Sequence, residues 1–415
     1  MMFKFYIYRN DTLFPPLIFP YLSAILICGI LLCNCSEAET VERNKSEDNS
    51  LIRKIKLAMD AFYRMDIQKS EDIFDEAINE WPEEPLPYLF KGGLYLNMFR
   101  HSKGDSVEES IRLKEQIFYL NNIVIDIARK RIKEDPNDMN AYYCLGAANG
   151  NTGRFYVLNG QWWRGFWKGK KGFKILEKVV EKDPDFYNAY LGLGIYHYFS
   201  TMLPKIVKVL SFLLGGPEGD REKGIRELKL VRDNSAILSI EARKILLRVY
   251  RWEEDWNGVY HVSKWLAEHY PENLYFQVSY VYGLTHNQQY DDARQQRGKV
   301  DSLLKNDPTR LPLGVRVKYY RYSGLLSYHL SEYARAVQSY QDAIKLARIK
   351  WPPERIWAED YYYLAASYAG LKKESEAFQY LRKAIKKGWK MNSLEKQTEW
   401  QPYRHNPVFI KIAGK

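Results

Sequence analysis

Two stretches of this chain, Asp135 to Gly146 and Asp183 to Gly194, carry one frame. In each, Asp-Pro is followed by Tyr six positions after the proline (Tyr142, Tyr190), Leu nine after (Leu145, Leu193) and Gly ten after (Gly146, Gly194). A frame repeated at fixed spacing restricts the fold to an array of similar units, each burying its apolar face against its neighbours. Arrays of that kind serve binding far more often than chemistry.

Three further segments share a second frame. Gly324, Ala336, Tyr340 and Ala343 are spaced by twelve, four and three, as are Ala365, Ala377, Leu381 and Ala384, and Ala58, Ser70, Phe74 and Ala77. These are the small and large positions of a tetratricopeptide repeat, a helical hairpin of about 34 residues. A small residue in the first helix lets the second approach closely, and the aromatic or Leu one turn later fills the gap between hairpins. Pro82, Pro136, Pro184, Pro271, Pro308 and Pro352 fall where second helices should stop. From Leu51 onward the pattern is amphipathic helix, with no alternating strand of useful length. The expectation is an all-α, right-handed superhelical solenoid of antiparallel hairpins. Residues 51–134 form N-terminal repeats, 135–250 central repeats, 251–389 C-terminal repeats and 390–415 a cap, in which Trp400 to Phe409 covers the last apolar face.

The N-terminus carries a separate instruction. Lys4 and Arg9 precede an apolar run from Leu13 to Leu32, and after Cys35 the chain turns polar as far as Ser50. Residues 1–35 are expected to be an export signal and 36–50 a polar tether. Leu32-Cys33-Asn34-Cys35 resembles a relaxed bacterial lipobox, which implies lipidation at Cys35; Asn34 departs from the usual Ala, Gly or Ser. The alternative is an uncleaved anchor, since about 20 residues span a bilayer. Either route leaves the bulk of the chain outside the cytoplasm on a membrane, in the periplasm or at the outer membrane of a bacterium. With Cys144 the one cysteine beyond Cys35, a disulfide framework is excluded for the folded part.

The repeat frame fails twice in succession. After Gly146 the small position is due at Leu158, yet the next suitable one is Gly172, fourteen residues late. The expected insertion between the two helices holds Trp162, Trp163, Arg164, Phe166, Trp167, Lys168, Lys170 and Lys171. After Gly194 the small position is due at Ile206, yet the helix resumes near Gly224, leaving a second insertion with Lys205, Lys208 and an apolar helix from Ile206 to Leu214. Both should leave neighbouring hairpins at the same turn and touch. The apolar helix serves as extra core or as an interfacial element, being too short to span a bilayer. Trp162, Trp163, Arg164, Trp167, Lys168, Lys171, Lys205 and Lys208 are the candidate contacts for an anionic headgroup or an acidic partner segment.

The run Asp183 to Phe199, then Leu203-Pro-Lys, Leu210-Ser-Phe and Gly219-Asp-Arg-Glu-Lys-Gly, resembles a bacterial tetratricopeptide family. Its eukaryotic relatives are the inclusion-body-clearance proteins and the tetratricopeptide repeat protein 39 group. The resemblance covers roughly residues 135 to 230. It implies an adaptor linked to lipid or protein-aggregate handling, with no catalytic residues to carry over.

A net charge of +11 favours anionic partners, but Lys and Arg alternate with Asp and Glu along almost every helix, as on a solvated face. No RNA-binding or zinc-finger spacing appears, so no nucleic-acid partner is expected. The histidines are scattered without a metal-ligand pattern. Gly215-Gly-Pro-Glu-Gly-Asp lacks the Lys-Ser/Thr ending of a phosphate loop, and Asp220 reads as the N-cap of the helix at Arg221. No nucleophile elbow occurs. The chain therefore reads as a non-enzymatic scaffold without cofactor or metal, binding a protein or peptide segment in its concave groove, with lipid contact and an N-terminal membrane anchor. The competing reading is a lipid or glycan carrier whose pocket is lidded by residues 206–214. The 33 Tyr and 11 Trp exceed what a plain core needs and suit a contact face.

Overall fold

The computed structural model describes residues 50–102, 106–202, 219–306, 311–350, 356–389 and 398–413. Among these the regular structure is helical, in eight successive hairpins. They are α1 (Ser50–Tyr63) with α2 (Ile67–Glu80), α3 (Pro85–Ser102) with α4 (Val107–Glu134), α5 (Met139–Leu158) with α6 (Trp162–Lys182), and α7 (Ala189–Ser200) with α8 (Arg221–Asn234). The chain continues with α9 (Ser239–Trp252) and α10 (Trp256–His269), α11 (Leu274–His286) and α12 (Tyr290–Asn306), α13 (Leu313–His329) and α14 (Tyr333–Lys350), then α15 (Ala358–Gly370) and α16 (Glu374–Lys386). This is a tetratricopeptide-type solenoid. The expected boundary between residues 250 and 251 cuts α9, which runs on to Trp252.

Local chemistry places the helix ends. Asp66, Ser106, Asp138, Asp220, Asp255 and Asn273 each accept the amide three residues ahead, a cap worth about 1 kcal/mol. Pro82, Pro136, Pro184 and Pro271 follow the second helices α2, α4, α6 and α10; Pro308 and Pro352 lie outside the described residues.

The small positions are contact points. The Ser70 hydroxyl donates to the Ala58 carbonyl at 2.7 Å. A Cβ on Gly324 would sit 2.8 Å from the Tyr340 ring, and one on Gly194 would sit 2.9 Å from the Gly224 carbonyl. Ala365, Ala377, Leu381 and Ala384 are fully buried.

The first supposed insertion is not one. Its residues are absorbed into the two arms of a longer hairpin: α5 has 20 residues and α6 has 21, against 14 in each of α1 and α2. Extra residues can be taken up this way without breaking the backbone hydrogen-bond ladder, provided both arms grow together and their contact continues. Glycine continues it here. Gly146, Gly150 and Gly153 on α5 run antiparallel to Gly172, Gly169 and Gly165 on α6. A Cβ on Gly172 would lie 2.6 Å from the Gly146 carbonyl, and one on Gly153 would lie 2.9 Å from the Gly169 amide. The backbones touch, as they do where small residues line a helix pair.

At the C-terminus a 3-10 turn (Thr398–Tyr403) and α17 (Pro407–Ala413) close the array. Trp400 is fully buried and stacks on Phe409 at 5.5 Å, while Phe378 of α16 meets the rings of Tyr403 and Phe409. No helix among the described residues is long and apolar enough to cross a membrane; the apolar run from Leu13 to Leu32 lies outside them.

The solenoid also meets itself. Tyr63, at the end of α1, is 1% exposed although its neighbours there come from residues 241 to 276. Its hydroxyl donates to Glu241 at 3.2 Å, its carbonyl accepts from Asn273 Nδ2 at 2.8 Å, and its ring packs edge-on against Tyr270. Lys244 of α9 reaches Asn97 of α3 at 3.2 Å, and α3 also packs against α13. One superhelical turn is thus closed by contacts between chain segments about 150 to 210 residues apart.

The glycine contact makes a sign-specific prediction. Gly172→Ala should lower the thermal midpoint, with a loss of about 1–3 kcal/mol from overpacking. Gly150→Ala, whose Cβ would meet nothing within 4 Å, should raise it by up to about 1 kcal/mol through helix propensity. Thermal unfolding followed by circular dichroism measures both.

Candidate functional site

The aromatic cluster singled out from the sequence lies on the first turns of α6, near the tip of the long hairpin. Trp162, Trp163 and Trp167 are 40%, 43% and 43% exposed, while Phe166 between them is buried. Trp163 stacks on Phe166 at 5.7 Å, and Trp167 stands edge-on to both. The Arg164 guanidinium lies 5.9 Å over Tyr156. Burial, with Lys171 and Arg129 of α4 nearby, pushes Lys168 below its ordinary value. Six predicted contacts, Trp162, Trp163, Arg164, Trp167, Lys168 and Lys171, therefore share one stretch of helix. Lys205, Lys208, the apolar helix 206–214 and Cys35 lie outside the described residues, so neither the touching of the two insertions nor the lidded pocket is visible. Residues 160–164 line a shallow, open depression.

A second site is built where the closed turn brings first helices together, and sequence reasoning did not find it. Lys244, Arg248 and Arg251 stand at i, i+4 and i+7 on one face of α9. Arg100 comes from α3, Arg154 from α5, Tyr275 and Tyr282 from α11, and Lys318, Arg321 and Tyr322 from α13. Most are half-buried. Arg248 lies 4.6 Å over the Phe199 ring and 5.6 Å over Trp252, Arg251 lies 4.5 Å over Tyr282, and Lys318 lies 5.1 Å over Tyr275. Arg248, Arg251 and Lys318 thus each rest on a ring face that stabilises the charge without neutralising it.

Anionic compensation is uneven. Arg321 is paired bidentately with buried Asp360, at 2.5 and 2.7 Å, and Lys244 with Glu241 at 2.8 Å. Arg248 Nε and the Tyr322 hydroxyl are buried and meet no hydrogen-bond partner among the described residues.

The titration behaviour reports this excess of positive charge. Burial, with Arg100 and Arg154 beside it, drives Arg248 well below its ordinary value. Burial and the approach of Arg251, Arg100 and Arg321 bring Lys318 down to about 8, although Tyr275 opposes the shift. Burial alone would raise Tyr275, but Lys318, Arg100, Arg251 and Lys244 overcome it and pull the phenol to about 8. Glu241 is likewise held at about 2, against the effect of burial, by Lys244, Arg154 and Arg100. Farther out, burial and Asp360 raise Glu359 to about 7.

The heptad-like row on α9 was legible as a pattern. Its partners, Arg100 and Lys318, were not, because nothing local says that α3 and α13 meet. Among the described residues no group of His, Cys, Asp and Glu could hold a metal ion. His197 is a packed side chain whose Nδ1 lies 2.6 Å from Glu227.

These observations define the class, a helical-hairpin repeat protein with an inward-facing cationic and aromatic surface. No protein-family model matches the chain, and no curated protein does. Among solved structures it is similar to yeast Tom70, with 11% identity and a TM-score of 0.34 over 90% of this chain and 94% of that one. That similarity is too low to transfer anything from one protein to the other.

The Tyr275 and Lys318 pair sets a pH dependence. In the unfolded chain both groups keep their protons to about pH 10, whereas the folded pair releases a proton near 8. The unfolded state then binds more protons between pH 8 and 10, so this contribution to stability rises with pH across that window. Urea midpoints against pH should show a steeper rise for the natural protein than for Lys318→Met or Tyr275→Phe.

Proposed function

We propose that the chain is a non-enzymatic protein-binding scaffold that holds a segment of its partner inside the closed superhelical turn. One observation carries this reading: several repeats direct unneutralised cations and aromatic faces to a common interior, an arrangement costly to the fold and suited to recognition. The same reading places the protein at a bacterial cell envelope, exported by residues 1–35, lipidated at Cys35 and held by the tether to Ser50. The resemblance of residues 135 to 230 to the tetratricopeptide repeat protein 39 group supports an adaptor role, though the export signal sets this chain apart from those intracellular relatives. A display library of random 12-residue peptides tests it. Enriched peptides should lose binding on Arg248→Glu and keep it on Trp163→Ala; no enrichment, or indifference to Arg248→Glu, would contradict the proposal.

The Trp tip favours an additional contact. Three exposed indoles flanked by Arg164, Lys168 and Lys171 suit the headgroup region of an anionic membrane, where amphipathic rings and long cationic side chains both find their medium. The chain from Ser36 onward should float with phosphatidylglycerol vesicles, and the triple change Trp162→Ala, Trp163→Ala, Trp167→Ala should abolish flotation without lowering helicity.

A further inference from the structure

Resting on the membrane contact proposed for the Trp tip, we infer that the preceding hairpin shares it: Val107 and Ile111 of α4 enter the acyl boundary of the same bilayer. The solenoid then stands on the edge formed by its α3–α4 and α5–α6 turns. Val107 is 79% exposed and Ile111 52%. Single exposed aliphatic side chains need no explanation, but these two stand one helical turn apart at the edge that carries three exposed indoles.

Helix lengths put the two groups level. A Cβ on Gly92 would lie 3.5 Å from the Leu120 Cβ, so α3 and α4 are side by side there. From that point α3 runs on to Ser102, about 15 Å, whereas α4 reaches back to Val107, about 20 Å. The start of α4 therefore projects about one turn past the end of α3. The Phe99 and Phe155 rings meet at 4.9 Å, and α3 and α5 each end three residues later, so the α5–α6 tip is level with the end of α3. Val107 is thus foremost, with Ile111 near the level of Trp162. Direction agrees with position. Side chains of a helix lean toward its N-terminus, and α4 and α6 both begin at this edge, so Val107, Ile111, Trp162 and Trp163 lean outward from it. At 100° per residue Val107, Ile111 and Phe118 share one face of α4. Phe118 meets Phe155 and Tyr156 at 5.0 and 5.7 Å, and Tyr156 in turn carries Arg164 of α6, so that face is turned toward the hairpin bearing the Trp cluster.

The chemistry points to lipid. Indoles and long cationic side chains suit the headgroup region, and aliphatic ones the boundary beneath it. Arg164, Lys168 and Lys171 supply positive charge, joined by Lys170, which lies 5.4 Å over Trp167. The acidic groups of the first turn of α4 are turned aside. Glu108 and Glu109 stand about 100° and 200° around the helix from Val107, and Glu109 is held by Arg112 through two hydrogen bonds of 2.8 Å. With the most advanced side chain aliphatic and the cations set back on α6, the edge has the order of a bilayer's own layers.

The test is photocrosslinking of the full-length chain on vesicles of equal parts phosphatidylglycerol and phosphatidylcholine. Benzoyl-phenylalanine is placed singly at Val107, Ile111, Trp163 or, as a control, Leu230, which is 40% exposed on α8 but about 14 Å from the start of that helix. Lipid adducts are measured by mass spectrometry of the tryptic peptides. Positions 107, 111 and 163 should each give at least tenfold more adduct than position 230. The double change Val107→Asp, Ile111→Asp should cut the adduct at position 163 at least threefold with helicity unchanged. Adducts at 163 without adducts at 107 and 111 would overturn this inference and leave the Trp contact standing. An unchanged yield at 163 in the Asp variant would make the start of α4 a bystander and also overturn it. Equal yields at 163 and 230 would sink this inference together with the Trp contact.

Discussion

The closure of one superhelical turn at Tyr63 is the contact on which the interior depends. A repeat array is quasi-one-dimensional, each hairpin touching only its neighbours. Here the end of α1 is buried against residues 241 to 276, with Asn273 satisfying its carbonyl and Glu241 its hydroxyl. Few local terms favour such a contact, since it must overcome the entropy of joining segments far apart in sequence. The fold meets that cost by burying Tyr63 with Tyr270 and Phe276 and by laying the Arg64 guanidinium over Tyr270. Closure turns a spiral of first helices into an interior.

That interior is organised against stability. Like charges gathered in a partly dry environment repel one another more strongly than they would in water. Aromatic faces soften this at Arg248, Arg251 and Lys318, and Asp360 removes it at Arg321. The remainder appears as depressed cation pKa values and as a guanidinium Nε with no acceptor. Side chains that strain a fold in this way are commonly the ones a ligand completes.

Much of the architecture was readable before any coordinates. The spacing of Ala58, Ser70, Phe74 and Ala77, and its echoes at Gly324 and Ala365, located true interhelical contacts, because a close approach admits few residue types. Asp220 was readable as a cap for the same local reason. The α5 and α6 hairpin was misread as carrying an insertion, since the frame assumes a fixed helix length. The antiparallel glycines at 146, 150 and 153 against 172, 169 and 165 show that the arms lengthened together. Sequence placed Trp162, Trp163 and Trp167 on a contact face, and all three are exposed. The cations of the interior could not be gathered from sequence, because alternating charge on each helix looks like a solvated surface until distant helices are brought together. Residues 203–218, with Lys205 and Lys208, lie outside the described structure.

Negative charge belongs between α3, α5, α9 and α13. Anomalous diffraction from crystals soaked in bromide tests it without presuming a ligand. The strongest interior peaks should lie among Arg100, Arg154, Arg248 and Lys318, and should vanish in crystals of Arg248→Gln. Bromide confined to the outer surface would contradict the account and reduce the interior to an ordinary, internally compensated packing surface.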